Sequence, residues 1–98
     1  MYQALPEFIK VKDSPVAGQG LFATDDIPEG VDLGISHVVV DESIMRTPLG
    51  GFVNHSDKPN CIKIEEEQEW GKIYYMRTIK EIKSGEELFL KYTFYSVL

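Results

Sequence analysis

Turn-forming residues recur so often along this chain that no long stretch carries the hydrophobic period of a helix. Short apolar segments lie between Asp13-Ser14-Pro15, Gly18-Gln19-Gly20, Pro28-Glu29-Gly30 and Gly50-Gly51. Segments of that length suit strands, which need only a few residues to cross a sheet. The sequence therefore predicts a mostly β fold with one or two short helical turns, for which 47–51 is the candidate.

Several of the apolar segments have the pattern of a particular strand. The β-branched run Val38-Val39-Val40 predicts a buried strand. Residues 61–67 alternate between apolar and polar, and residues 73–79 are the expected antiparallel partner, joined to them as a hairpin across 69–72. Leu88-Phe89-Leu90 is predicted to be the last short strand.

One local pattern occurs twice. Residues 26–33 and 81–88 share the order acid, Ile, two variable residues, Gly, one variable residue, acid, Leu. The pattern predicts a turn closed by a glycine at positive φ and followed by a strand. Coincidence, the common sequence preferences of turns and an ancient duplication explain the repeat equally well, and it indicates architecture rather than chemistry.

Length and charge limit the class of protein and partner. The chain has 98 residues, so we expect 1–98 to form a single domain. Ten Lys and Arg against sixteen Asp and Glu give a net charge of −6. That balance argues against direct binding to a nucleic-acid backbone and suits a basic partner, although it also simply favours solubility.

The cysteine content and the apolar runs indicate a compartment. Cys61 is the single cysteine of the sequence, so no intrachain disulfide is expected, and a reducing compartment follows. No apolar run reaches the ~18 residues of a membrane span. The N-terminal residues do not read as a secretory signal. We therefore expect an intracellular protein, in the cytoplasm or in the nucleus of a eukaryotic host, without membrane association.

The densest polar cluster is Asn54-His55-Ser56-Asp57-Lys58-Pro59-Asn60-Cys61. By composition alone it is most simply a surface turn. A metal site is not predicted, because His37 and His55 lack a matching group of carboxylates or cysteines. A nucleophilic Cys61 with His55 as its base is conceivable, although nothing in the sequence indicates an activated thiol.

Two further segments are weak signals when taken singly. Gly18-Gln19-Gly20 would allow the backbone to approach a ligand closely, but a tight turn explains it as well, and the spacing is not that of a dinucleotide-binding loop. Residues 85–92 place two acids before an apolar strand and Tyr92 after it. A solvated turn with an amphipathic tyrosine at its edge is the plain alternative.

Taken in order, the three segments resemble the SET-domain protein methyltransferases. That family carries Gly-x-Gly near its N-terminus, Asn-His-Ser-x-x-Pro-Asn in its second half and Gly-Glu-Glu-Leu-x-x-x-Tyr near its C-terminus. The resemblance runs from about residue 9 to residue 95, and the Asn-His-Ser element is its most specific part. The chain looks most like the minimal SET proteins of some viruses and bacteria.

The resemblance implies a fold and a reaction. The fold would be a β-clip-like arrangement of small sheets with a C-terminal pseudoknot, which brings Asn54 and His55 beside Tyr92. The reaction would transfer a methyl group from S-adenosylmethionine to a lysine ε-amine, without a metal and without a covalent intermediate. Positioning and electrostatics would then provide most of the rate.

The resemblance also assigns roles to residues. Tyr92 would be the catalytic residue at the methyl-transfer pore, with Tyr95 covering the pore or the cofactor. Asn54 would hydrogen-bond the amino or carboxylate end of the cofactor, and the His55 backbone would meet its adenine edge. The full predicted cofactor set is Gly18, Gln19, Gly20, Leu21, Asn54, His55, Tyr92 and Tyr95.

Some positions depart from the family pattern. Lys63 stands where many members have an aromatic residue that lines the substrate lysine channel, and Gly34-Ile35-Ser36-His37 replaces a peptide-binding strand. His37 and Lys63 are therefore the candidate channel residues, and Lys91 replaces an Asp or Asn before the pore tyrosine.

The expected partner is a protein lysine in a basic segment such as a histone-like tail. The acidic residues Glu65, Glu66, Glu67, Glu69, Glu86 and Glu87 would attract such a segment. A homodimer is expected, because a second subunit could cover the channel and add buried apolar area. The alternative function is an inactive SET-like module that binds a peptide or partner.

Overall fold

The computed structural model describes residues 4–91, and these residues form two β-sheets and one short helix. In chain order the elements are β1 Ile9–Asp13, β2 Gln19–Ala23, β3 Asp32–Val40, β4 Ser43–Arg46, α1 Pro48–Phe52, β5 Asn54–His55, β6 Cys61–Gln68, β7 Gly71–Thr78 and β8 Phe89–Leu90. β1 and β2 form an antiparallel pair, and the other strands form a six-stranded sheet in the order β4-β3-β7-β6-β8-β5. The predicted mostly β fold is confirmed.

The predicted hairpin is confirmed as β6–β7, with a tighter loop than expected. Pairing continues to Gln68 opposite Gly71, so that only Glu69 and Trp70 form the loop. Gly71 lies at φ +155, and a Cβ there would clash with the carbonyl oxygen of Val39. Glycine at this position therefore lets β3 and β7 approach each other immediately after the turn.

The predicted burial of Val38-Val39-Val40 is wrong, although the strand exists. These residues are half-buried, and the buried residues of β3 are Leu33, Ser36 and His37. The apolar core includes Leu33 at the start of β3 and contains no residue from 34–48, so it lies away from the Val38-Val39-Val40 end of the strand. The end of β3 instead extends beside β4, all of whose residues are exposed.

The predicted helical turn is α1, and it closes against β3. Thr47 caps it, since its Oγ1 accepts from the Gly50 N–H at 3.4 Å, and Pro48 occupies the first turn. Leu49 is 1% exposed, and a Cβ on Gly50 would clash with the Ser36 carbonyl oxygen. This contact fixes the chain direction into β5. Within residues 4–91 no helix is long and apolar enough to cross a bilayer.

The sequence repeat forms a reciprocal pair in the core. Ile27 and Ile82 exchange both backbone hydrogen bonds, at 2.7 and 2.8 Å, and both side chains are buried. Gly30 and Gly85 have φ of +83 and +90, as the pattern predicts. The equivalence extends beyond the motif: the Gly30 N–H donates to Thr78, and the Gly85 N–H donates to Ala23. The two copies are thus related by a local pseudo-two-fold arrangement.

The C-terminal strand is threaded between two earlier strands. β8 lies between β5 and β6 and runs parallel to both, while residues 56–60 connect those two strands around it. Asn60 holds β8 with its side chain: its Nδ2 donates to the Glu87 carbonyl oxygen at 2.9 Å, and its Oδ1 accepts from the Phe89 N–H at 2.7 Å. This threading is the predicted pseudoknot.

Candidate active site

A polar cluster forms where the turn before β2, the start of β5 and the residue before Leu88 meet. Asn54 Nδ2 donates to Glu87 Oε2 at 2.7 Å and also contacts the carbonyl oxygens of Ala17 at 3.1 Å and Gln19 at 3.3 Å. The Ser14 hydroxyl donates to Glu87 Oε1 at 2.7 Å. Asn54 belongs to the Asn-His-Ser motif. It therefore contacts the Gly-x-Gly turn through Gln19 and the third motif through Glu87.

The second glycine of the Gly-x-Gly turn is required by this cluster. Gly20 is buried, and a Cβ there would clash with Glu87 Oε2 and press on Asn54 Nδ2. Gly18 has φ +45, which also favours glycine. From the sequence, the glycines are expected to let the backbone approach a ligand. The structure adds a reason within the protein, because Gly20 leaves room for the Glu87 carboxylate.

The other predicted cofactor residues differ widely in exposure. Gly18 and Gln19 are exposed, Asn54 is half-buried, and His55 is exposed with its Nε2 at 3.3 Å from Asp57 Oδ1. Leu21 is fully buried in the core, and its carbonyl oxygen accepts from the Leu88 N–H at 2.8 Å. Any contact between Leu21 and a ligand is therefore limited to what its backbone offers.

Tyr92 and Tyr95 lie outside the described residues. The chain that leads to Tyr92 is nevertheless placed beside the Asn-His-Ser motif, because Phe89 pairs with Asn54 and Leu90 pairs with His55. Lys91, the last described residue, follows directly and is exposed. The threaded strand thus brings the C-terminal motif alongside the Asn-His-Ser motif, although the two are far apart in sequence.

A small cavity of about 140 Å³ opens beside the last described residue. Its lining consists of Pro59, Cys61, Ile62, Lys63, Leu90 and Lys91. Lys63 thus lies where a channel toward Tyr92 is predicted. Burial lowers the pKa of Lys63, and its Nζ lies 5.6 Å from the centre of the Tyr74 ring.

His37 is placed differently from Lys63. Its side chain is 3% exposed, and its Nδ1 lies 2.9 Å from Ser36 Oγ, which donates to the Tyr74 carbonyl oxygen. Burial lowers the pKa of His37 to about 4, with further lowering by the charges of Lys63 and Arg46. The imidazole is therefore buried and neutral at neutral pH, and His37 is not among the residues that line the cavity.

The structure excludes the conceivable Cys61–His55 pair. Cys61 is fully buried, and burial raises the pKa of its thiol to about 12. Both residues pair with Leu90 from opposite sides, so a whole strand separates them, roughly 9–10 Å at ordinary strand spacing. Cys61 is a core residue, and its burial disfavours the thiolate that nucleophilic attack needs.

Glu87 is the site residue that sequence reasoning missed, because it was counted only among surface acids. It is 8% exposed, whereas Asp32, its counterpart in the repeat, is exposed and pairs with Arg77 at 2.6 Å. A signal was available: Glu87 directly precedes the apolar strand of the third motif. Among residues 4–91 no group of His, Cys, Asp and Glu is arranged to hold a metal ion.

Comparison with known structures agrees with this architecture. A candidate histone methyltransferase from Plasmodium falciparum superposes with a TM-score of 0.75 at 16% identity, covering 95% of this chain and 99% of that chain. The Polycomb Repressive Complex 2 of Chaetomium thermophilum, as a humanized mutant bound to the inhibitor GSK126, gives a TM-score of 0.70 at 23% identity. An apo form of that complex with mutations in Ezh2 gives 0.68 at 23% identity.

These similarities establish the fold. The chain corresponds to 15% of the length of the matched Polycomb chains, with 87% of its own residues aligned. No curated protein sequence matches it. The sequence does match a protein family over residues 31–93, the family described as the SET domain. That match spans more than half of the chain, including the Asn-His-Ser motif and β8, and the chain therefore belongs to the SET-domain family.

Proposed function

We propose that this protein transfers a methyl group from S-adenosylmethionine to a lysine ε-amine of a protein substrate. Membership of the SET-domain family supports protein lysine methylation in general. The observation that carries the specific proposal is the meeting of three motifs. Asn54 contacts the Gly-x-Gly turn through Gln19 and the third motif through Glu87, while β5 pairs with the strand that leads to Tyr92.

The residues of the cluster fit a cationic cofactor. A buried carboxylate, an amide and the backbone of a glycine turn converge there. When bound, S-adenosylmethionine would supply an electrophilic methyl group on a positively charged sulfonium. Residues 17–20 and Asn54 would hold its amino-acid end, and the backbone at His55 would meet the adenine.

The cavity beside Lys63 supports a role in amine deprotonation. A lysine attacks only when its amine is neutral, and a nearby positive charge lowers the pKa of an ammonium group. Lys63 and Lys91 both line the cavity, so a substrate lysine that enters it would meet two like charges. Tyr92 follows Lys91 in the sequence, and as the predicted pore residue its hydroxyl would stabilise the developing charge.

The direct test is titration calorimetry with S-adenosylmethionine, followed by a methylation assay on basic peptides. We expect saturable binding and methyl incorporation at lysine. Tyr92→Phe should lower the maximal rate while changing cofactor affinity little, because it removes only the hydroxyl. Peptide binding without methyl incorporation would instead support the inactive binding module.

We also propose that the protein is an intracellular homodimer. The edge strand β4 supports the dimer, because it exposes 44% of Ile44 and 51% of Met45 beside unpaired backbone groups. Sedimentation should give twice the chain mass of 11.1 kDa at micromolar concentration. A species of one chain mass would reject the dimer without affecting the proposed reaction.

A further inference from the structure

The carboxylate of Glu87 is buried and bonded to neutral donors. Glu87 is 8% exposed, and its two oxygens accept from the Ser14 hydroxyl and the Asn54 amide, each at 2.7 Å. The ion pairs found among residues 4–91 involve other acids, namely Asp32, Asp57, Glu65 and Glu81. Within the described part of the chain, no cation therefore lies at ion-pair distance from Glu87.

A carboxylate in this setting favours a cationic ligand. Removing an ionised group from water costs several kcal/mol unless charge and hydrogen bonds compensate it. The two hydrogen bonds from neutral donors offset part of this cost. They do not neutralise the charge, so the Glu87 carboxylate keeps a negative electrostatic potential in the site. A bound cation close by would recover the remainder, so the site discriminates by charge.

The same contacts determine how the Asn54 amide is turned. The neighbours of its Nδ2 are a carboxylate oxygen and the carbonyl oxygens of Ala17 and Gln19, all of which accept hydrogen bonds. Only the NH₂ side of an amide can face three acceptors, so Oδ1 points away from them. Because Oδ1 only accepts, Asn54 can bind an ammonium group through it and cannot donate through it to a carboxylate.

We propose that Glu87 is the counter-charge and positioning residue for the ammonium group of the cofactor. It fixes the Asn54 amide with Oδ1 toward the ligand and places a negative charge behind it. Gly20 covers the carboxylate so closely that no side chain fits between them, and Glu87 therefore acts through Asn54 and through its field. This inference rests on the proposed function and assigns one part of that site.

The test compares ligands with and without the ammonium group in a Glu87→Gln variant. Glutamine keeps the shape and removes the charge. We expect titration calorimetry to show about 10- to 100-fold weaker binding of S-adenosylmethionine, the usual effect of losing a charged hydrogen-bonding partner. Decarboxylated S-adenosylmethionine, which keeps the ammonium, should weaken equally. 5′-Methylthioadenosine, which lacks the amino-acid end, should bind as it does to the wild type.

Two variants separate this role from a structural one. Glu86→Gln is the matched control, because Glu86 is the adjacent exposed acid and its carboxylate accepts from the Lys83 N–H rather than from Ser14 or Asn54. It should leave all three affinities unchanged. Ser14→Ala removes one hydrogen bond to Glu87 while keeping its charge, so the two ammonium ligands should bind at least as tightly as they bind the wild type, whereas a role in shape alone predicts weaker binding of all three ligands. This second variant serves if Glu87→Gln does not fold.

Each outcome decides the proposal. Equal weakening of all three ligands would mean that Glu87 only maintains the shape of the pocket, and unchanged binding of S-adenosylmethionine would deny it any role. Either result overturns the inference and leaves the proposed function standing. A wild-type protein that binds none of the three ligands would refute the proposed function, and the inference with it.

Discussion

At the scale of single residues, Gly20 is the glycine whose close packing involves the candidate site. A Cβ there would clash with Glu87 Oε2, whereas a Cβ on Gly51 would have no atom within 4 Å. Gly20→Ala should therefore lower the free energy of unfolding by about 1–3 kcal/mol, because the site is overpacked.

Gly51→Ala is the matched control, since it adds the same methyl group in an open helical position. It should be neutral or stabilise the protein by about 0.5–1 kcal/mol. Urea titrations of both variants measure the difference. Equal stability of the two variants would show that the turn does not pack on Glu87 as described.

His37 predicts a pH dependence of stability. The folded protein lowers its pKa to about 4 from an ordinary value of 6.5, so the unfolded chain binds a proton first as the pH falls. The free energy of unfolding should therefore be highest above pH 6.5 and fall as the pH drops toward 4, by up to about 3 kcal/mol from this residue.

Urea titrations across that pH range measure this effect by difference. His37→Gln should remove part of the slope, whereas His55→Gln serves as the control because it removes an exposed imidazole. A slope between pH 6.5 and 4 that is identical in His37→Gln and the wild type would assign the dependence to carboxylates alone.

At the scale of elements, Asn60 holds the threaded strand β8. Its amide makes hydrogen bonds of 2.9 and 2.7 Å to the backbone on both sides of Leu88. Asn60→Ala should cost about 2–3 kcal/mol in the free energy of unfolding, because two part-buried backbone groups lose their partners. Thermal or urea unfolding measures the loss.

The control for this variant is Ser56→Ala in the same connection. Its hydroxyl accepts from the exposed Lys58 N–H at 3.0 Å, so its loss should cost well under 1 kcal/mol. If Asn60→Ala were as stable as Ser56→Ala, the strand pairing of β8 alone would hold the C-terminal segment.

Local sequence patterns identify the elements here better than they identify burial. The hairpin β6–β7, the short helix α1 and the glycines of the repeat follow from turn residues and alternation, which act over a few residues. The burial of Val38-Val39-Val40 could not be judged in this way. It depends on which end of β3 other elements cover, and those elements come from distant parts of the chain.

The candidate site shows the same division. The motifs indicated Gly20 and Asn54, but their common contact with Glu87 depends on the pseudoknot, which no local pattern encodes. The family resemblance predicted the pseudoknot. It did not predict the burial of Glu87, because the residues around Glu87 are typical of a solvated surface turn. That burial follows from the packing of Ser14, Gly20 and Asn54 around the Glu87 carboxylate, and these residues come from distant parts of the chain.

At the scale of the whole molecule, the acidic residues near the β6–β7 loop and the cavity lie toward different ends of β6. Glu66, Glu67 and Glu69 are exposed near the β6–β7 loop, whereas the cavity lies at the Cys61 end of β6. At ~3.3 Å per residue, Glu66 and Glu67 lie about 10–13 Å along β6 from Lys63 in the cavity lining, which exceeds the ~8 Å Debye length at physiological salt.

If these acids attract a basic substrate, kcat/KM for a basic peptide should fall up to about tenfold from low to physiological salt. Reversing Glu65, Glu66 and Glu67 to Lys should slow capture at low salt and leave cofactor affinity unchanged. Measurements of kcat/KM at several salt concentrations test this. A rate indifferent to both changes would leave the shape of the cavity around Lys63 as the selector.

The central claim is that the cluster of Asn54, Glu87 and the Gly18–Gly20 turn binds S-adenosylmethionine for methyl transfer. The most direct measurement is titration calorimetry of the wild type and Asn54→Ala with S-adenosylmethionine, with folding of both checked by circular dichroism. The account predicts saturable binding to the wild type and a loss of about 1–3 kcal/mol in Asn54→Ala. Equal affinity of the two folded proteins, or no binding to the wild type, would contradict it.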